Sequence, residues 1–184
     1  MLPVPPSLLP TLASRTTPRL ILTALDGADW PDFLRMHEDP LVVATLGGMR
    51  PRADVRALFD RLVAQWGEDG IGWWSARDPR SGAFLGRGGL RRLTVGEEKR
   101  EPVIEVGYGF VSGAWGRGLA TELAVESLAV ADGVLHLAEV VGITLESNAA
   151  SRRVLERVGF RLQRSETHGG LPHVLYRRRR PPTR

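Results

Sequence analysis

The chain has 184 residues, 42% hydrophobic and 25% charged, with a formal net charge of +4 and a sequence pI of about 10.5. That is the length of one domain of roughly 100–200 residues, with enough apolar content to bury a core without staples. It contains no cysteine, which excludes disulfides, thiolate metal sites and a cysteine nucleophile, and no run approaches the ~18 apolar residues of a membrane span.

Every basic residue except Lys99 is an arginine, and the skew is spread over the whole chain. Much of the excess charge sits in the terminal stretch YRRRRPPTR, without which the balance is close to neutral. A charge run of this kind reads as a solvated end, or as a contact for ribosome or nucleic acid through Arg177–Arg180. The opening MLPVPPSLLPTLAS is apolar but has no basic start, and its prolines interrupt any helical segment. It reads as a loose or docked extension over residues 1–17. A single domain is expected over 18–180, with a short tail at 181–184. A cytoplasmic location fits this composition.

Arg19–Leu25 is a strand candidate, and Asp29-Trp30-Pro31 follows as a helix start, with Asp29 as cap and the helix running to about His37. Pro51–Trp66 repeats Val55, Leu58, Phe59 and Leu62 at helical spacing. The stretch from Ile71 to Leu93 reads as two strands around an Asp-Pro-Arg-Ser-Gly turn. Its adjacent Trp73 and Trp74 must face opposite sides, one toward the core and the other toward a pocket. A further strand ends at Val111: Ile104, Val106, Tyr108 and Phe110 alternate onto one face, and Glu105, Gly107 and Gly109 onto the other, leaving an empty groove beside a carboxylate.

The next helix follows Gly116 and Gly118 and carries an Ala120, Ala124, Leu128, Ala131 stripe opposite Glu122 and Glu126. A short apolar strand around Val140 is expected to be covered on both faces. The helix after it has Asn148 as its cap and Gly159 beyond its end, with Phe160 as the apolar residue past the stop. Ser151 shares this helix's inward face with Val154, Leu155 and Val158. Two final strands read as a closing hairpin. The pattern describes an α+β domain with a mixed sheet.

Glycines that open a helix leave bare N–H groups for an anion. A nucleotide-binding P-loop would need Gly-Lys-Ser/Thr, where this chain has Gly118-Leu119-Ala120. A dinucleotide fold finds its glycine pair and an acid at Glu139, but its third glycine position holds Thr121. The segments IEVGYGFVSGAWGRGLATE and TLESNAASRRVLERVGF together resemble the GNAT-type N-acetyltransferases, in the Rim-type branch that includes ribosomal-protein N-terminal acetyltransferases. The family motif Gln/Arg-x-x-Gly-x-Gly/Ala falls on Trp115 to Ala120, with Trp in the first place.

The resemblance implies the GNAT fold: a twisted, mostly antiparallel mixed sheet of about seven strands, splayed between the fourth and fifth and flanked by about four helices. It implies acetyl-CoA as cosubstrate and no metal. The pyrophosphate would sit on the N–H groups of Gly116, Arg117, Gly118, Leu119, Ala120 and Thr121, with the Arg117 side chain either in contact or in solvent. Main-chain groups of Phe110 and Val111 would hold the pantetheine arm. Asn148 would cap its helix and reach the pantetheine amide, or only cap. Glu105 is the candidate general base, or else a contact for the substrate ammonium. Many relatives place a tyrosine acid where Leu155 stands here, so Ser151 or water would protonate the leaving thiolate; otherwise Ser151 is a packing residue. His168 and His173 flank a Gly-Gly loop that could border the acceptor site. The expected reaction is direct transfer to a primary amine, on a protein N-terminus or a small molecule, with a homodimer plausible for the branch. The rival reading is a non-catalytic acyl-CoA-binding or ribosome- or RNA-associated module.

Overall fold

The computed structural model describes residues 4–95 and 101–180; the expected tail at 181–184 lies outside them. The chain runs α1 (Leu9–Ala13), β1 (Ser14–Thr16), β2 (Ile21–Ala24), α2 (Trp30–Glu38), α3 (Pro40–Ala44), α4 (Arg52–Asp69), β3 (Trp73–Arg77), β4 (Phe84–Val95), β5 (Glu101–Phe110), α5 (Leu119–Ala129), β6 (Glu139–Leu145), α6 (Ala149–Arg157), β7 (Arg161–His168) and β8 (Leu171–Arg179). One sheet takes the order β1-β2-β3-β4-β5-β6-β8-β7. Every neighbouring pair is antiparallel except β5 and β6.

The described residues form eight strands and six α-helices, where about seven and about four were expected. The extra strand comes from the N-terminal extension, which is docked. Ser14–Thr16 pairs with Ile21–Thr23, Leu12 is buried in the main core, and the Leu12 carbonyl accepts a 2.7 Å bond from Trp74 Nε1. Counting β1 moves the splay, expected between the fourth and fifth strands, to the fifth and sixth. There β5 and β6 meet only at Glu105↔Val141 and then diverge.

The two faces of the sheet have different jobs. On one, Trp74, Leu90, Ile104, Val106 and Phe110 pack against Leu119, Leu123, Ala124 and Leu128 of α5. On the other, Trp73 joins Phe33 and Leu34 of α2 and Val55, Phe59 and Leu62 of α4. The apolar stripe of α5 is thus carried by leucines as much as alanines. Glu122 and Glu126, expected to face away, are recruited by the N-terminal segment: Arg15 Nε donates to Glu126 at 2.6 Å.

Asp29 is not the side-chain cap of α2. A 3₁₀ turn at Gly27–Asp29 precedes the helix, with Asp26 and Asp29 forming a capping box around it. Asp29 is buried and accepts from Ser75 Oγ and Arg77 Nη2, both at 2.7 Å. Asn148 does cap α6, its Oδ1 accepting from Ser151 N at 3.0 Å. The closing hairpin is present, but β8 also inserts beside β6, so that of Arg177–Arg180 only Arg179 and Arg180 are exposed. Arg178 makes a bidentate pair with Asp132, and Arg177 is paired with Glu139.

Candidate active site

The helix opening is built from two glycines in left-handed backbone, Gly116 at φ 73° and Gly118 at φ 75°, a conformation that other L-residues avoid. Gly118 is the N-cap of α5, so the N–H groups of the first turn lack intrahelical partners and carry about half a positive charge between them. A side chain on Gly116 would meet nothing within 4 Å, so the loop is open to a ligand. It is fixed from behind. Glu122 accepts from Thr17 Oγ1 at 2.6 Å and from Arg19 N at 2.8 Å and Nε at 2.6 Å. Arg19 Nη1 then donates to the Arg117 carbonyl at 2.5 Å.

A groove of about 730 Å³ runs from this loop along β5 to α3, α4 and the β7–β8 turn. Gly116, Gly118, Leu119, Ala120, Thr121, Phe110, Glu105, Asn148 and Ser151 all line it. The exposed Arg117 side chain does not, and Val111 lies in a smaller neighbouring cleft. The Val111 N–H is also committed, donating to the Leu85 carbonyl at 2.9 Å. By the alternation of an antiparallel ladder, main-chain groups of Tyr108 and Phe110 then point away from β4, toward the gap where β6 has diverged. The Phe110 carbonyl accepts from Trp115 Nε1 at 2.9 Å, which leaves the Phe110 N–H and both groups of Tyr108 facing the gap.

The groove expected beside Gly107 and Gly109 is not empty. A Cβ on Gly107 would lie 2.6 Å from the Trp73 ring, and one on Gly109 would lie 3.3 Å from the Arg87 guanidinium. The glycines let those side chains lie flat on β5. Cross-strand register sets Arg91 opposite Glu105 and Arg87 opposite Gly109. Glu105 is buried and ion-paired with Arg91. The guanidinium carbons of Arg87 and Arg91 lie 4.0 and 4.4 Å from the Trp73 ring centroid. Burial, reinforced by Arg91, lowers the Arg87 pKa below the ordinary arginine range. Nearby His37 is buried; its Nδ1–H donates to the Phe33 carbonyl at 2.8 Å, leaving Nε2 as the acceptor of a neutral ring.

On the other face of β5, the Tyr108 hydroxyl donates to the Ser151 carbonyl at 3.1 Å and lies 3.2 Å from Ser151 Oγ. Burial pushes the Tyr108 phenol above its usual range, so it stays protonated at neutral pH. Leu155 is core, its side chain filling the space over Gly142. The Asn148 amide Nδ2 reaches the Thr45 carbonyl at 3.5 Å, in addition to the cap made by its oxygen. His168 and His173 line the far end of the groove with rings 5.4 Å apart.

The structure therefore brings together Glu105, Ser151, Asn148 and the glycine loop, and leaves out Val111 and the Arg117 side chain. Sequence reasoning missed Tyr108, Arg87, Arg91 and His37. The strand alternation puts Tyr108 on the core face, which holds for its ring but not for its hydroxyl. The two arginines share the Trp73 face only once the β3–β4–β5 register is known. Among the described residues, no group of three or more His, Cys, Asp or Glu side chains is arranged to hold a metal.

The family profile described as "Acetyltransferase (GNAT) domain" matches residues 19–161. A Bacillus subtilis (strain 168) protein, YkkB, is 26% identical over 164 residues, covering 89% of this chain and 94% of that protein. The crystal structure of an acetyltransferase from Agrobacterium tumefaciens str. C58 superposes with a TM-score of 0.76 at 25% identity, covering 91% of this chain and 94% of that one. At the level of fold alone, Mycobacterium smegmatis RimJ in complex with CoA-disulfide matches with a TM-score of 0.68 at 19% identity, covering 87% and 81%.

Proposed function

The chain belongs to the GNAT acetyltransferase family, and from that premise we propose that it moves an acetyl group from acetyl-CoA directly to a primary amine held in the same groove. The observation that carries this reading is the unpaired edge of β5 beside a glycine-opened helix N-terminus. Acetyl-CoA supplies the activated thioester; its C–S bond breaks as the C–N bond forms. The residues present fit it. The bare N–H groups of Gly116 through Thr121 suit a pyrophosphate, and the free main-chain groups of Tyr108 and Phe110 suit an amide-bearing arm.

Glu105 receives the substrate ammonium. Its carboxylate, held in place by Arg91, accepts the hydrogen bond and then the proton that the amine must lose before it can attack, directly or through water. The Tyr108–Ser151 hydroxyl pair stands on the opposite face of β5 and delivers a proton to the departing sulfur. No acyl-enzyme is required: positioning in one ternary complex supplies the rate advantage. Calorimetric titration with acetyl-CoA tests the reading. Saturable binding is expected, retained in Tyr108→Phe while its turnover falls about 10–100-fold; no binding at all overturns it.

A further inference from the structure

The groove's charge is one-sided. Arg50, Arg61, Arg87, Arg91, Arg153 and Arg157 line it, against a single carboxylate among the described residues, Glu105. Arg91 is spoken for by Glu105. Arg87 is not: only 4% exposed, it makes no hydrogen bond or salt bridge among the described residues, and its Nε is buried without a partner. The neighbouring Trp73, 5% exposed, leaves its Nε1–H in the same condition. Two buried donors without an acceptor on one wall are an exception in folded proteins, where such groups are almost always paired. Arg91 and Arg50 turn further positive charge on Arg87, Glu105 opposes them, and no second carboxylate faces it among the described residues. A buried cation that faces further positive charge is costly unless an anion meets it.

The wall is not needed for the cosubstrate's phosphates. Arg87 lies on the Trp73 face of the sheet, packed toward α2 and α4, whereas the glycine loop belongs to α5 on the opposite face. We propose that Arg87 binds a carboxylate carried by the acceptor itself, so that the substrate is a small amino acid whose ammonium meets Glu105 while its acid group meets Arg87. The inference rests on the transferase reading and gives it a substrate class. A carboxylate brings the lone pairs that the Arg87 fork lacks, in a planar geometry that suits it. A polyamine would bring more cations to a wall already crowded with them. A simple amine would leave Arg87 buried and unpaired.

The test compares each amino acid with its decarboxylated and its amidated form, reading free thiol released from acetyl-CoA: leucine, isoamylamine and leucinamide, and phenylalanine with phenethylamine and phenylalaninamide. The free acids should be favoured in kcat/KM by at least about 100-fold, as at sites built around a buried polar partner. Arg87→Met should raise KM for the acids by a similar factor while calorimetric affinity for acetyl-CoA stays within about twofold. Because Arg87 is buried, folding of this variant is checked by circular dichroism. The exposed Arg50→Gln keeps the fold in any case and should raise KM about threefold. Equal use of acids and their decarboxylated forms, or a preference for the amides or for peptide N-termini, overturns the inference and leaves the transferase reading intact. An unchanged acid preference in both variants overturns it too. Absence of both acetyl-CoA binding and thiol release with every amine strikes the transferase reading itself.

Discussion

His37 sits in the wall of the groove with its ring stacked on Phe33, centroids 4.2 Å apart, and with Arg87 and Arg50 close enough to oppose a second positive charge. Desolvation first, then Arg87, lowers its pKa from 6.5 to about 4, against a smaller opposing effect of the bond to the Phe33 carbonyl. Between those values the unfolded chain takes up a proton that the native protein refuses. Stability therefore rises with pH through this window, and it is lost progressively as pH falls from about 6.5 to about 4. The full shift corresponds to about 3 kcal/mol. Urea midpoints followed from about pH 7.5 to pH 4 should fall more steeply for the wild type than for His37→Gln, in which the titrating group is gone. Parallel profiles would remove His37 from the explanation.

The elements most easily overlooked are the short ones at the start of the chain. α1 and β1 span five and three residues, too few to present a period, yet Leu12 is 1% exposed and Thr17 and Arg19 brace the first turn of α5. Leu12→Ala should cost about 2–4 kcal/mol, the loss expected for a truncated core leucine, and lower the melting temperature by about 5–15 °C. A change under about 1 °C would mean that the segment is only laid on the surface. The longer elements were legible because their burial follows their period. Val55, Phe59 and Leu62 of α4 repeat at helical spacing and are all buried, and Trp73 and Trp74 alternate between the two cores as adjacent strand residues must. The glycine loop and the Asn148 cap were legible because both depend on local backbone chemistry. What the sequence hid depends on register. Nothing local says that Arg91 lies opposite Glu105, that Arg87 fills the space over Gly109, or that the Tyr108 hydroxyl reaches Ser151 across 43 positions. Asp29 was misplaced for a related reason: a capping residue and a buried ion-pair partner look alike in sequence.

For the whole molecule, the proposed reading needs one groove to serve two ligands, and the division of the sheet into two faces provides for it. The α5 face provides the helix N-terminus; the α2/α4 face provides the arginine wall; the divergence of β5 from β6 joins them. The basic C-terminal run is drawn into this architecture through Arg178–Asp132 and Arg177–Glu139. No described helix is long and apolar enough to cross a membrane. Direct transfer between two ligands in one groove has a simple signature. Free thiol should appear from acetyl-CoA only when an amine acceptor is also present, with no acetylated protein accumulating when acetyl-CoA is given alone. Thiol release that is independent of any amine, or a stable acetyl adduct on the protein that later passes to the amine, would contradict direct transfer.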